Sequence, residues 1–157
     1  MSSDLVIRES SGEIPTNYTR KYADTRGWKD WEIVREIVQN SLDAAGSAHI
    51  EKLPDALIIT DRGKGFNALN LLMGTTSKSK CERGRFGEGL KIAILAAMNM
   101  DYTVEIFTDS MHIIPQWRTI EVDDPSQGKV KAEIMVFKFE KMPPINGTKV
   151  KIIGYTS

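Results

Sequence analysis

The chain has a single cysteine, two histidines, no net charge and no long apolar run, and each shortage removes a class of explanation. Cys81 has no partner for an internal disulfide, so no covalent staple is expected. Twenty-one Lys and Arg against 21 Asp and Glu leave no global field to draw the protein to DNA, RNA or an anionic membrane. Direct nucleic-acid binding is therefore not expected. No apolar stretch is long enough to span a bilayer and no signal-peptide pattern opens the chain, which makes the cytoplasm the expected compartment. The phosphate-loop pattern GxxxxGKS/T is absent, and Gly84-x-x-Gly87-x-Gly89 does not have the G-x-G-x-x-G spacing of a dinucleotide fingerprint. Neither an internal repeat nor a low-complexity tract is present. What remains, 157 residues with 41% hydrophobic content, suits one sizeable core and is too short for two.

Three short segments stand out in this background. In REIVQNSLDA (Arg35 to Ala44), Glu36, Asn40 and Asp43 are spaced i, i+4, i+7 and share a helical arc of roughly 60°. Trp31, Val34, Val38, Leu42 and Ala45 form the opposite, core-facing arc, with Ile37 at its margin. The amide oxygen of Asn40 suits Mg²⁺, and Glu36 one turn earlier is placed to polarise a water. Taken alone, the same stripe also fits the solvated face of an amphipathic helix. In TDRGKGF (Thr60 to Phe66), a buried strand, Leu57 to Thr60, delivers Asp61 to a Gly63-x-Gly65 turn. An ionised Asp only accepts hydrogen bonds, so it suits the exocyclic amine of adenine and disfavours the guanine carbonyl, while glycines permit close backbone approach. An ordinary Asp-rich turn is the plainer alternative. In GRFGEGLK (Gly84 to Lys91), Gly84, Gly87 and Gly89 precede a helix over Leu90 to Met98, and free N–H groups at its start would meet phosphates.

The rest of the chain reads coarsely. Residues 1–27 form an N-terminal arm with a short strand at Leu5 to Arg8. Residues 28–157 form one domain with a hairpin at Pro54-Asp55 and a short helix at Ala68 to Met73. Alternating runs at Tyr102 to Thr108, Met111 to Ile114, Trp117 to Val122, Ala132 to Phe139 and Lys149 to Ile153 read as antiparallel strands, with a loop over Asp123 to Lys129. The expected class is α+β, a two-layer α/β sandwich with a mostly antiparallel sheet and helices on one face.

The three segments, in this order, resemble the motifs of the Bergerat-fold ATPase superfamily, which includes the Hsp90, gyrase B, MutL and histidine-kinase types. NGTKVKI (Asn146 to Ile152) resembles its late Gly-Thr strand motif, and the likeness runs from about Trp28 to Ile153. The resemblance implies ATP and Mg²⁺ as ligands, with Glu36 as general base, Asn40 on Mg²⁺ and Asp43 as a further polar contact. Asp61 would meet the adenine amine, with Gly65 supporting the base, Gly63 a further nucleotide-binding position in the same turn, and Thr148 binding adenine beside Asp61 through a water. Backbone from Gly84 through Arg85, Phe86, Gly87, Glu88 and Gly89 to Leu90 would wrap the triphosphate. Met73 to Arg83 resembles the family's ATP lid, particularly in its TTSKSK run, and makes Lys78 and Lys91 candidate phosphate contacts. His49 and His112 lie in strand-like runs with no acceptor-histidine module evident, so a protein kinase is the weaker enzyme reading. The following transducer domain, which supplies a basic residue to the γ-phosphate in several relatives, is not evident.

The implied function is Mg-dependent ATP binding with slow hydrolysis, coupled through the lid to a protein partner or a self-dimer. A non-hydrolysing ATP sensor is the alternative, as is an accessory ATPase subunit of a topoisomerase- or repair-like machine.

Overall fold

Short alternating runs between turn residues assemble into one antiparallel sheet that dominates the molecule. The computed structural model describes residues 11–20, 22, 27–65 and 88–155. In chain order these contain β1 (Ser11–Thr19), α1 (Asp30–Ala45), β2 (His49–Leu53), β3 (Ala56–Asp61), α2 (Glu88–Asn99), β4 (Thr103–Thr108), β5 (Met111–Asp124), β6 (Gly128–Lys141) and β7 (Thr148–Ile153). The sheet order is β1-β6-β5-β4-β7-β3-β2. Every neighbouring pair is antiparallel. No described helix is long and apolar enough to cross a membrane.

This corrects the expected two-layer α/β sandwich. Strand residues outnumber helical ones about two to one among the described residues, so the fold is sheet-dominated. Two causes enlarge the sheet. Ser11–Thr19, read from sequence as part of a separate arm, pairs along β6 as an edge strand. The runs at Met111 to Ile114 and Trp117 to Val122 join into the 14-residue β5, and the run at Ala132 to Phe139 lengthens into the 14-residue β6. Pro115, which falls between the first two of these runs, lies within β5 opposite Phe137. Beyond Ile113 the other edge of β5 no longer pairs with β4, and a proline is tolerated in a strand with an open edge. The strand expected at Leu5 to Arg8 and the helix expected at Ala68 to Met73 lie outside the described residues.

The α1 segment has clear end signals. The Glu32 carboxylate accepts the Lys29 backbone N–H at 2.8 Å, and Asp30 and Glu32 place negative charge in the first turn, where the helix dipole favours it. Gly46 ends the helix at φ 78°, a left-handed conformation suited to glycine, and donates to the Leu42 carbonyl at 2.7 Å. The face it buries differs from the expected arc. Ile33, Ile37 and Ser41 are buried, whereas Trp31 is 67% and Leu42 39% exposed. Contact with both α2 and β3 selects this line of residues, so Ile37 moves from the margin to the centre.

Under the helices, register aligns Ile59, Val150, Ile106 and Ile113 in one transverse row, each 2% exposed or less. Leu90 to Met98 of α2 are all buried, the condition of a helix enclosed on every side. Tyr102 fastens the start of β4 to α1 by donating its hydroxyl to Asp30 Oδ1 at 2.7 Å.

Candidate functional site

Two residues beyond the apolar row, at the next position on the same face, the chemistry changes. Asp61 ends β3, Thr148 begins β7 and Thr108 ends β4, and the register sets Thr148 opposite both of the others. All three are buried, at 3%, 6% and 0% exposure, so a polar row closes the core at this end of the sheet. The hydroxyls of Thr108 and Thr148 are hydrogen-bonded at 2.9 Å. Asp61 Oδ1 accepts the Gly63 N–H at 2.9 Å, the local bond by which an Asp side chain fixes the turn after it. A carboxylate is seldom buried without partners, because removing it from water is costly.

The glycines let neighbouring backbone close over this row. A Cβ on Gly63 would stand 2.6 Å from the Ala44 carbonyl oxygen at the end of α1, and one on Gly65 would stand 2.7 Å from Thr108 Oγ1. Gly147 has φ +89°, and its Cβ would overlap the Asp61 carbonyl oxygen. The close approach these glycines permit in this structure is to the protein itself, binding the 62–65 turn to α1 and β4.

On α1, Glu36 and Asn40 are half-buried and flank the buried line, while Asp43 is exposed and accepts a bond from Gln39 at 2.9 Å. A Cβ on Gly89 would overlap the Glu36 carboxylate, so Glu36 lies against the first turn of α2. That turn carries backbone N–H groups without helical partners. The expected base contacts and the expected general base thus come from different elements: Asp61 and Thr148 at the ends of β3 and β7, Glu36 on α1 beside the α2 N-terminus. Leu90 and Lys91 are both buried, at 3% exposure. Glu88 is the first residue of α2. Lys78, Gly84, Arg85, Phe86, Gly87 and the lid over residues 73–83 lie outside the described residues.

Thr108 was not among the residues singled out from sequence. Its alternation with Val104 and Ile106 places it on the core face, which was the available signal. Its pairing with Thr148, 40 residues away, required the sheet order. A groove of about 390 Å³ is lined by Thr60, His49 and Lys149, whose side chains alternate with Asp61 and Thr148 along the strands, and it also reaches Asp61 and Arg62 at the end of β3. Among the described residues, no three His, Cys, Asp or Glu side chains cluster as a metal-ligand set. A single Asn oxygen, with phosphates and waters, is compatible with the few protein ligands Mg²⁺ takes. Neither protein-family models nor curated proteins match the chain.

Proposed function

We propose that this protein binds ATP, with adenine at the Asp61 and Thr148 end of the sheet and the phosphates toward the first turn of α2, and that it hydrolyses the nucleotide slowly. The observation that carries the reading is the buried Asp61 carboxylate set in register with Thr148. An acceptor-only group beside a hydroxyl complements the adenine amine and ring nitrogen and repels the guanine carbonyl. The order of the four motifs, resembling that of the Bergerat ATPases, supports the same ligand.

For hydrolysis, Glu36 would hold and polarise a water at the phosphate end, the role its contact with the first turn of α2 supports. The half-buried Asn40, one helical turn on, offers an amide oxygen to the metal. Mg²⁺, when bound, supplies neutralisation of phosphate charge. The reading includes a cytoplasmic protein whose nucleotide state is passed to a protein partner or a second copy, with no direct nucleic-acid contact, in keeping with the absence of net charge.

A second reading is favoured by the same contact. A carboxylate at a helix N-terminus is stabilising without any chemistry, so Glu36 can act as a structural partner of α2 in an ATP sensor that does not turn over. Phosphate release separates the two. Slow hydrolysis by the wild type that is lost in Glu36→Ala, with ATP affinity retained, supports the enzyme. ATP binding without release, together with a lower melting temperature in Glu36→Ala, supports the sensor. For the pocket itself, Asp61→Asn should weaken ATP binding about tenfold or more, the scale of one hydrogen bond to a charged group. Unchanged affinity would remove Asp61 from the site.

A further inference from the structure

The two edges of the sheet are built differently. At one, β1 carries Pro15, and its register along β6 is broken between Pro15 and Thr19, two devices that keep a foreign strand from adding on. At the other, β2 pairs with β3 residue for residue from His49 to Leu53, and no strand among the described residues pairs with its outer side. Such an edge presents a row of backbone N–H and C=O groups that another extended backbone satisfies.

Helix α1 adds an apolar wall beside that edge. It packs on α2 and on β3, and α2 lies over β4, so the side of α1 turned from α2 overlooks β2. Glu36 marks the α2 side, because a Cβ on Gly89 would overlap its carboxylate. Trp31, Val38 and Leu42 lie roughly 200° to 240° around the helix from Glu36, on the β2 side. From β2 itself, Ile50 and Lys52 share the helix-facing side with their partners Ile59 and Leu57. Trp31 is 67% exposed, Leu42 39% and Ile50 49%, three of the six large exposed hydrophobics among the described residues. Apolar side chains gathered on one flank in this way mark a contact surface.

Charge narrows what the surface fits. Lys52 donates to the Leu53 and Tyr155 carbonyls and lies over the Tyr155 ring, and no carboxylate among the described residues pairs with it. Arg35 lies over the exposed Trp31 ring on the same flank. We infer that β2 takes up a strand of another protein, paired antiparallel as every neighbouring pair in the sheet is, with an apolar side chain opposite Ile50 and a carboxylate opposite Lys52. A second copy of the chain does not supply this pattern. Two-fold pairing of β2 centred on Glu51 opposes two carboxylates and sets Lys52 against Ile50. Centred on Lys52 it opposes two ammonium groups, and centred on Ile50 it leaves Lys52 beside Ala48.

The test is an anisotropy titration of the full chain without nucleotide, so that its outcome is separate from that of the ATP reading. The probe is a labelled synthetic strand of about nine residues alternating valine and threonine, with one glutamate on the valine face to meet Lys52. A second probe has lysine in place of the glutamate, and two more are N-methylated on one or the other alternate set of residues. Wild type should bind the glutamate probe at least about threefold more tightly than the lysine probe, the scale of a surface ion pair, and Lys52→Glu should reverse that order. Ile50→Thr, which keeps a β-branched side chain, should weaken both probes about threefold or more. One methylated probe should lose binding and the other keep it, because only one set of N–H groups faces the edge. A preference that Lys52→Glu leaves unchanged, equal binding of the two methylated probes, or no binding of any probe would overturn the inference. A wild type that sediments as a dimer, with an Ile50→Lys variant that does not, would make a second copy the occupant and overturn it as well.

Discussion

Gly147 is under a stricter constraint than its sequence context suggests. Its φ of +89° is a conformation that side-chain-bearing residues rarely adopt, and a Cβ there would overlap the carbonyl oxygen of Asp61. Gly147→Ala should therefore lower unfolding free energy by roughly 1 to 3 kcal/mol and disturb the base end of the site at the same time. A urea midpoint equal to the wild type would mean that the 146–147 turn can relax without moving Asp61. Gly46, also at positive φ, has open space around it, so an alanine there meets only the backbone strain. Both glycines carry the same intrinsic preference, but only one is pressed against the proposed site. That distinction depends on contacts between segments 86 residues apart and could not be read locally.

Helix α1 exemplifies what the sequence did and did not disclose. Its ends carry local signals in Asp30, Glu32 and Gly46, and its polar flank was legible in the i, i+4, i+7 spacing of Glu36, Asn40 and Asp43. Its buried face was not, since the apolar arc from Trp31 through Val38 to Leu42 is wider than the contact that α2 and β3 provide. Ile37→Ala should cost about 2 to 5 kcal/mol, as for a fully buried aliphatic side chain. Trp31→Ala should stay within about 0.5 kcal/mol, as for an exposed position. The reverse order in thermal melts would restore the arc expected from periodicity. The β3 run Leu57 to Thr60 was equally legible, being apolar, β-branched and flanked by turn residues. The continuation of β5 through Pro115 was hidden, because a proline is a break signal unless one knows that the strand's other edge is open there.

A link between elements carries its own pH signature. Tyr102 donates to Asp30, and burial together with the neighbouring Asp30 carboxylate pushes its phenol from 10.0 up to about 12. The fold thus favours the protonated phenol. Its contribution is complete below pH 10 and is lost as pH rises through the window from 10 to about 12. Tyr102→Phe should cost about 1 kcal/mol at neutral pH and flatten the fall in stability over that window. An identical alkaline decline in wild type and variant would remove this bond from the account.

At the scale of the whole molecule, the helices α1 and α2 gather near β3, β4 and β7, while β5 and β6 run on as a ribbon. From Thr119 opposite Glu133 to Asp124 opposite Gly128, that ribbon pairs only with itself among the described residues. The buried Asp61, Thr108 and Thr148 gather at one end of the central strands, and this polar row is continuous with the core. A ligand binding only the folded state should raise the stability of the entire chain, by about 2.7 kcal/mol at a concentration one hundred times its Kd. The large sheet and the proposed pocket would then respond together, giving a single transition that moves upward with ATP concentration.

The most direct test of the central claim is calorimetric titration of the wild-type chain with ATP and GTP, each with and without Mg²⁺. Saturable binding of ATP that strengthens with Mg²⁺, and binding of GTP at least about tenfold weaker, is the result expected from Asp61 and Thr148 reading adenine and Asn40 contributing to the metal. Equal binding of the two nucleotides, or no heat from either, would contradict it.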